Sequence, residues 1–290
     1  MKEAFSTFHP IVNFIYFMTV ILFSMVFMHP IFLGIAFVSA FIYSVQLKGN
    51  IAVKFNLLYL LPMLVFMALL NPVFNHQGVT IIFYLDNGNP ITLESILFGV
   101  TAACMFITVI IWFSCYNKVM TSDKIIYLFG KAVPSLSLIL SMVLRFVPRY
   151  KVQLRTISNA QTCIGRDVSQ GSLIEKAKNG IKILSIMTTW ALENGIETAD
   201  SMKARGYGLP NRTSFSLFRF DNRDKLAISV IAVLISIVIL GAIIGQTTLR
   251  FFPSIEQIEV TPISVCVYFA YLVLCMLPVI INVLEEFKWK

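Results

Sequence analysis

The sequence predicts an all-α, polytopic membrane protein, with about six membrane-crossing helices and a cytoplasmic helical region. Three observations predict it. Of 290 residues, 57% are hydrophobic and only 13% charged, and the mean hydropathy is +0.80, well outside the range of soluble domains. The apolar residues run in unbroken stretches close to the ~20 that a helix needs to cross about 30 Å of hydrocarbon. Charge is concentrated instead of spread: residues 145–225 hold 14 basic and 7 acidic side chains.

In chain order the expected spans are Ile11–Met28, Ile31–Leu47, Phe55–Leu70, Leu93–Cys115, Leu226–Gly245 and Ile263–Leu284. Spanning strands would alternate polar and apolar residues, and these runs do not, so each is read as helix. The expected organisation is N-terminal membrane helices over 1–132, a cytoplasmic region over 133–224 and C-terminal membrane helices over 225–290. The first span exceeds signal-peptide length and lacks a small-x-small cleavage site before His29-Pro30, so it reads as a retained anchor. Its phenylalanines, and those of the second span, suit lipid or core packing. The five cysteines form no C-x-x-C pair and four fall in spans, which points to neither a disulfide framework nor a metal site.

Basic residues set the expected orientation. With both termini in the cytoplasm of a bacterial or archaeal cell, Lys2, Lys48, Lys54, Lys118, Lys124, Lys131, the 145–225 block, Lys288 and Lys290 all lie inside. Only Arg250 of the 23 basic residues falls outside. The loops Asn71–Pro90 and Gln246–Pro262 read as outer and mostly polar or acidic, with Asp86, Glu256 and Glu259. This is the positive-inside pattern. A net charge of +8 is accounted for by topology and anionic lipid, without nucleic acid. The apolar stretch Val133–Leu144 is too short to cross, starts at Pro134 and runs up to Arg145, so it is expected at the interface or leading into the cytoplasmic region.

The charged block reads as two helices. The first carries Arg145 and Arg149 one turn apart and ends near Gln161 or Cys163. The second opens at Ser172, whose spacing to Glu175 makes a capping box. Leu173, Ala177, Leu184, Met187 and Ala191 mark its apolar face, Gly180 and Gly195 are possible breaks, and Gly206-Tyr207-Gly208-Leu209-Pro210 is its stop. Two arginines therefore fall at helix ends beside glycine, 39 positions apart: Ile164-Gly165-Arg166-Asp167 and Ala204-Arg205-Gly206-Tyr207. Helix dipoles alone favour cations at such ends. Two such ends bracketing one amphipathic unit instead suit docking onto a partner.

Arg145-Phe146-Val147-Pro148-Arg149, Ala160-Gln161 leading to Gly165-Arg166, and above all Ala199-Asp200-Ser201-Met202-Lys203-Ala204-Arg205-Gly206-Tyr207-Gly208 resemble the transmembrane T component of energy-coupling factor transporters. That family includes the cobalt-transport membrane subunits. Two departures are visible. The family's first motif is usually Ala-Arg-Gly, where this chain has Ile164-Gly165-Arg166. Its N-terminal Asp-Pro-Arg-x-Lys is here His9-Pro10-Ile11-Val12-Asn13. The resemblance implies a scaffold whose arginine motifs (Arg205 with Ala204 and Gly206, Arg166 with Gly165) dock onto two cytoplasmic ABC-type ATPases. Arg145, Arg149 and Asp200 would support the coupling helices. A small membrane-embedded S component would bind the vitamin or metal ion being imported. The chain itself is expected to be non-catalytic, without cofactor or metal. Consistently, Gly130-Lys131 is followed by alanine and has no glycine five positions earlier, so no phosphate-cradling loop is present.

Two rival classes fit the sequence less well. Glu193, Glu197 and Asp200 share one helical face and would suit a Mg²⁺-dependent prenyl-type transferase, but such an enzyme would need a second acidic cluster, and the remaining acids are scattered along the sequence. A permease that binds its own substrate would show charge within its spans; only Glu94, near a span start, and Pro62 and Pro278 interrupt them. His9, His29 and His76 lack metal-pair spacing, and two of them precede proline.

Overall fold

Histidine–proline pairs open the first two helices, α1 (Pro10–Val26) and α2 (Pro30–Lys48). Proline fits a first turn, where its missing N–H costs nothing. The preceding histidine caps the turn: Nδ1 of His9 accepts from the Ile11 N–H, and Nδ1 of His29 from the Ile31 N–H, both at 3.3 Å. The two histidines are thus helix caps. The computed structural model describes residues 3–84, 88–130, 133–166, 168, 171–209, 218–255 and 261–288. Lys2, Asp86, Lys131, Asp167, Pro210, Glu256, Glu259 and Lys290, which carried part of the loop-charge and motif reading, lie outside the described residues.

After α2 come α3 (Asn50–Phe55), a π-helical stretch Asn56–Leu60, and α4 (Leu61–Phe74). A hairpin of β1 (Ile81–Tyr84) and β2 (Pro90–Thr92) leads to α5 (Leu93–Val119) and α6 (Ser122–Gly130). Then follow α7 (Pro134–Cys163), α8 (Leu173–Ala204), α9 (Asn222–Ile243) and α10 (Pro262–Lys288). The chain divides into two compact units, one of Met1–Ile125 with Phe218–Lys290 and one of Ile126–Leu217.

Among the described residues, five helices of the first unit are long and apolar enough to cross a membrane, and Pro10–Val26 is shorter. The first expected span ends early, at Val26 and not Met28, because Phe27 turns extended ahead of His29-Pro30, where helical backbone clashes with the proline ring. The third is longer than expected. Asn50–Phe74 runs 25 residues, and the π-helical stretch lies just before Pro62, whose absent N–H a wider turn accommodates. The loop expected to be polar is instead an antiparallel ribbon pairing Ile81 with Thr92 and Tyr84 with Pro90. Its β-branched and aromatic run Ile81-Ile82-Phe83-Tyr84 overrides the polar flanks.

Within this unit α5 packs against α4, α2 and α1, and α10 against α2 and α9. Trp112 of α5 is fully buried with its ring centroid 6.2 Å from Tyr16, 6.3 Å from Phe17 and 6.2 Å from Tyr43. Helices in lipid gain little from apolar burial alone and rely on close backbone approach. Gly241 supplies one: a Cβ there would meet Val267 Cγ1 at 2.6 Å. Gly241→Ile is therefore expected to splay α9 from α10 at a cost of about 1–3 kcal/mol, read as a lower thermal midpoint in detergent.

The N-terminal segment is clipped to the later helices by polar contacts. The Phe5 N–H donates to Asn282 Oδ1 at 3.0 Å, and the His9 N–H to Asp224 Oδ1 at 3.0 Å. Lys124 donates to the carbonyls of Ser6 (2.6 Å) and Val119 (3.0 Å). Burial pushes the Lys124 ammonium below the usual lysine range, with Glu3 opposing that shift. Carbonyl groups at the C-terminal end of α5 suit a cation held there.

The second unit is built on α7 and α8. The short apolar stretch 133–144 is not a separate interfacial element; from Pro134 it forms the first part of a continuous 30-residue helix. Gly180 and Gly195 do not break α8, which runs unbroken for 32 residues, about 48 Å. A single glycine costs only about 1 kcal/mol against alanine, too little to interrupt that ladder.

Candidate functional site

Both helices of the second unit end in the same backbone motif. At the end of α7 the Gly165 N–H donates to the Thr162 carbonyl (3.0 Å) and the Arg166 N–H to the Gln161 carbonyl (2.9 Å). At the end of α8 the Gly206 N–H donates to Lys203 (2.9 Å) and the Tyr207 N–H to Met202 (3.0 Å). The glycines sit at φ 76° and 79°, the left-handed conformation that closes a Schellman turn and that β-carbons disfavour. Superposing the two turns on glycine pairs Cys163 with Ala204, Ile164 with Arg205 and Arg166 with Tyr207. The displaced first motif thus has a structural meaning: the turn is the same, and the arginine stands two positions later. Arg166 and Arg205 are exposed, and neither makes an ion pair among the described residues, where the one ion pair is Arg223–Glu285 at 3.2 Å.

The start of α8 is fixed by a complete capping box. The Glu175 N–H donates to Ser172 Oγ (3.3 Å), and the Ser172 N–H donates to Glu175 Oε2 (2.9 Å). Hydrogen bonds from the Ser172 backbone and hydroxyl hold the Glu175 carboxyl below its usual range. A depressed carboxyl pKa means that this contribution is present above the ordinary value of about 4.3 and is lost as pH falls through the folded value. Amide exchange in the first turn of α8, taken relative to the intrinsic rate at each pH, is therefore expected to speed up on acidification below about pH 4. Ser172→Ala is expected to speed it at neutral pH, costing about 1 kcal/mol.

Three of the sequence-derived arginines are brought to one place. Arg145, Arg149 and Arg205 line a cleft of about 310 Å³ with Glu197 and Ser201, walled by Met142, Phe146 and Met202. Aromatic rings hold two of them. The Arg149 guanidinium lies 5.7 Å from the Trp190 ring and Arg145 lies 5.9 Å from Phe146. Tyr150 bridges the helices, stacked on Phe146 at 5.8 Å and edge-on to Trp190 at 5.3 Å. Such contacts orient a guanidinium without neutralising it.

Asp200 is exposed and is not part of this lining, and Arg166 lies at the other end of α8. The acidic trio does not converge either. Glu197 lines the cleft with the arginines, Glu193 and Asp200 do not, and no group of three or more His, Cys, Asp or Glu among the described residues is arranged to hold a metal ion.

Sequence reasoning missed the aromatic ladder, although Tyr150 and Trp190 are unusual in such polar helices. It also placed the α8 face imperfectly. The buried residue is Ile183, whereas Leu173 and Leu184 are exposed, as are Ile181, Leu192 and Ile196. The face that meets α7 is chosen by Trp190 and its partners on α7, which periodicity within α8 alone cannot register.

Residues 6–215 match the family described as cobalt transport protein, CbiQ. The chain is 30% identical over 118 residues to the energy-coupling factor transporter transmembrane protein EcfT of Lactobacillus helveticus, covering 40% of this chain and 43% of that relative. It is 33% identical over 109 residues to the EcfT of Lacticaseibacillus paracasei, covering 37% and 41%. To the EcfT of Brevibacillus brevis it is 36% identical over 111 residues, covering 38% and 42%. The matched stretch thus spans less than half the length of each of these relatives.

Proposed function

The chain belongs to the cobalt transport protein (CbiQ) family, and on that premise we propose that it is the membrane T component of an energy-coupling factor importer. In this reading two cytoplasmic ATPases hydrolyse ATP, the α7–α8 unit transmits their closure, and a separate small membrane protein binds a vitamin or metal ion. Residues 1–132 and 225–290 are the membrane part, residues 133–224 are cytoplasmic, and both termini face the cytoplasm. This chain supplies neither an ATP site nor a catalytic group.

The observation that carries the reading is the pair of Schellman-closed helix ends. Each holds an exposed arginine, without an ion pair among the described residues, on a glycine-closed turn: Arg205 with Ala204 and Gly206, and Arg166 with Gly165. The turn fixes the backbone from which each guanidinium projects, and the planar fork can offer two parallel donors to a carboxylate. The 32 helical residues of α8 suit a stiff lever, and its exposed Ile181, Leu184, Leu192 and Ile196 suit an apolar partner. Arg145 and Arg149 keep a positive cleft beside Arg205.

Affinity purification of the full chain from its own membranes tests this. Two ATPase subunits and a small apolar membrane protein are expected to co-elute. Solute uptake by the purified chain alone, without ATPases, would replace the scaffold by a permease. Mg²⁺-dependent turnover of a prenyl diphosphate would replace it by the transferase.

A further inference from the structure

The β1–β2 ribbon joins the same-side ends of α4 and α5, and its outer strand is apolar on both faces. Ile81, Ile82, Phe83 and Tyr84 are 45%, 52%, 52% and 64% exposed, whereas Ile91 and Thr92 of β2 are buried. In water such an edge strand invites pairing with another chain. From Asn71 to Thr92 the sequence contains one formally charged residue, Asp86. Exposed apolar residues resume beyond the polar stretch Asn75–Gln77, at Val73 and Phe74, and continue along Asn50–Phe74, of whose most apolar window only 11% is buried in the protein.

The base of the ribbon is held firmly. The Thr80 N–H donates to the Glu94 carboxylate at 3.1 and 3.3 Å, the Leu93 N–H to the Thr80 carbonyl at 3.0 Å, and Thr92 Oγ1 to the Gln77 carbonyl at 2.6 Å. Gly78, at φ +136°, passes so close that a Cβ would meet Glu94 Oε2 at 2.6 Å. Glu94 is only 2% exposed, so this carboxylate fixes the ribbon at the mouth of α5.

We infer that β1 lies in the lipid–water interface at this end of α4 and α5, as a phospholipid-contacting anchor. The bilayer core is excluded, because the outer edge of β1 leaves backbone N–H and C=O groups that hydrocarbon cannot satisfy. The interface satisfies those groups with water and headgroups while accepting isoleucine, phenylalanine and tyrosine side chains, and it is where aromatic residues concentrate. This placement does not depend on the transport reading.

A photoreactive benzoylphenylalanine placed at Phe83, and separately at Tyr84, in the full chain and irradiated in intact cell membranes tests the inference. Position Phe66 on α4 serves as the lipid-facing control. The expected result is a phospholipid-mass adduct on the peptide carrying residue 83 or 84, as at 66. A crosslink from 83 and 84 to another polypeptide, or to a second copy of the chain, overturns the inference in favour of a protein interface. Lipid adducts at 66 with none at 83 or 84 overturn it in favour of a ribbon standing in water.

Discussion

Under the proposed docking role, Arg205→Ala is expected to sever the chain from partner ATPases while leaving it folded and inserted. The side chain is exposed and makes no ion pair among the described residues, so the turn keeps its Gly206 and Tyr207 hydrogen bonds when it is removed. In a desolvated interface, truncating one member of a charge pair costs about 2–5 kcal/mol, roughly 30-fold to several-thousand-fold in affinity. Co-purification of ATPases with the variant, and ATP-driven uptake in vesicles, measure the loss. Arg205→Lys is expected to recover only part of it, because an ammonium lacks the planar fork. Arg166→Ala is expected to have a smaller effect, since its side chain stands two positions past the place that Arg205 holds in the equivalent turn. Undiminished ATPase coupling in Arg205→Ala would remove the docking role altogether.

Asp224→Ala is expected to cause the largest loss of stability. Asp224 is buried, and its two oxygens accept from the His9 N–H at 3.0 Å and the Asp221 N–H at 3.0 Å. One carboxylate thus closes the first turn of α9 and ties it to a residue 215 positions earlier. Removing it strands a buried donor and undoes a capping box. Hydrogen bonds to a charged group contribute about 1.5–3 kcal/mol each, so a loss on the order of 3 kcal/mol is expected. Thermal unfolding in detergent is the measurement. Asp224→Asn restores at most one of the two acceptors and is expected to fall between alanine and the native chain.

Much of the membrane plan was legible because hydrophobic thickness acts on single segments. A run such as Leu226–Gly245 declares itself without its neighbours, and proline, histidine and glycine mark ends through local backbone geometry. The capping box at Ser172 and the stop at Gly206 were readable for the same reason. Features that depend on pairing were not. The polar flanks of residues 81–92 suggest a loop, although the run of isoleucine and aromatic residues signals strand. The inner face of α8 was misjudged because Trp190 is oriented by Arg149 and Tyr150, on another helix. Glu197 was grouped with Glu193 and Asp200 by spacing, yet it lines a cleft with three arginines that come from both helices.

The class of molecule, most helical segments and the glycine-closed ends of α7 and α8 follow from the hydropathy or backbone conformation of a few adjacent residues. Which side chains meet depends on packing. It gathered Arg145, Arg149 and Arg205 into one cleft, and it closed the N-terminal segment onto α9 and α10 through Asp224 and Asn282. It also aligned Ile164 with Arg205, which separates the two arginines by their place in an identical turn. Those are relations between distant positions, and their energies exist only once the helices have packed.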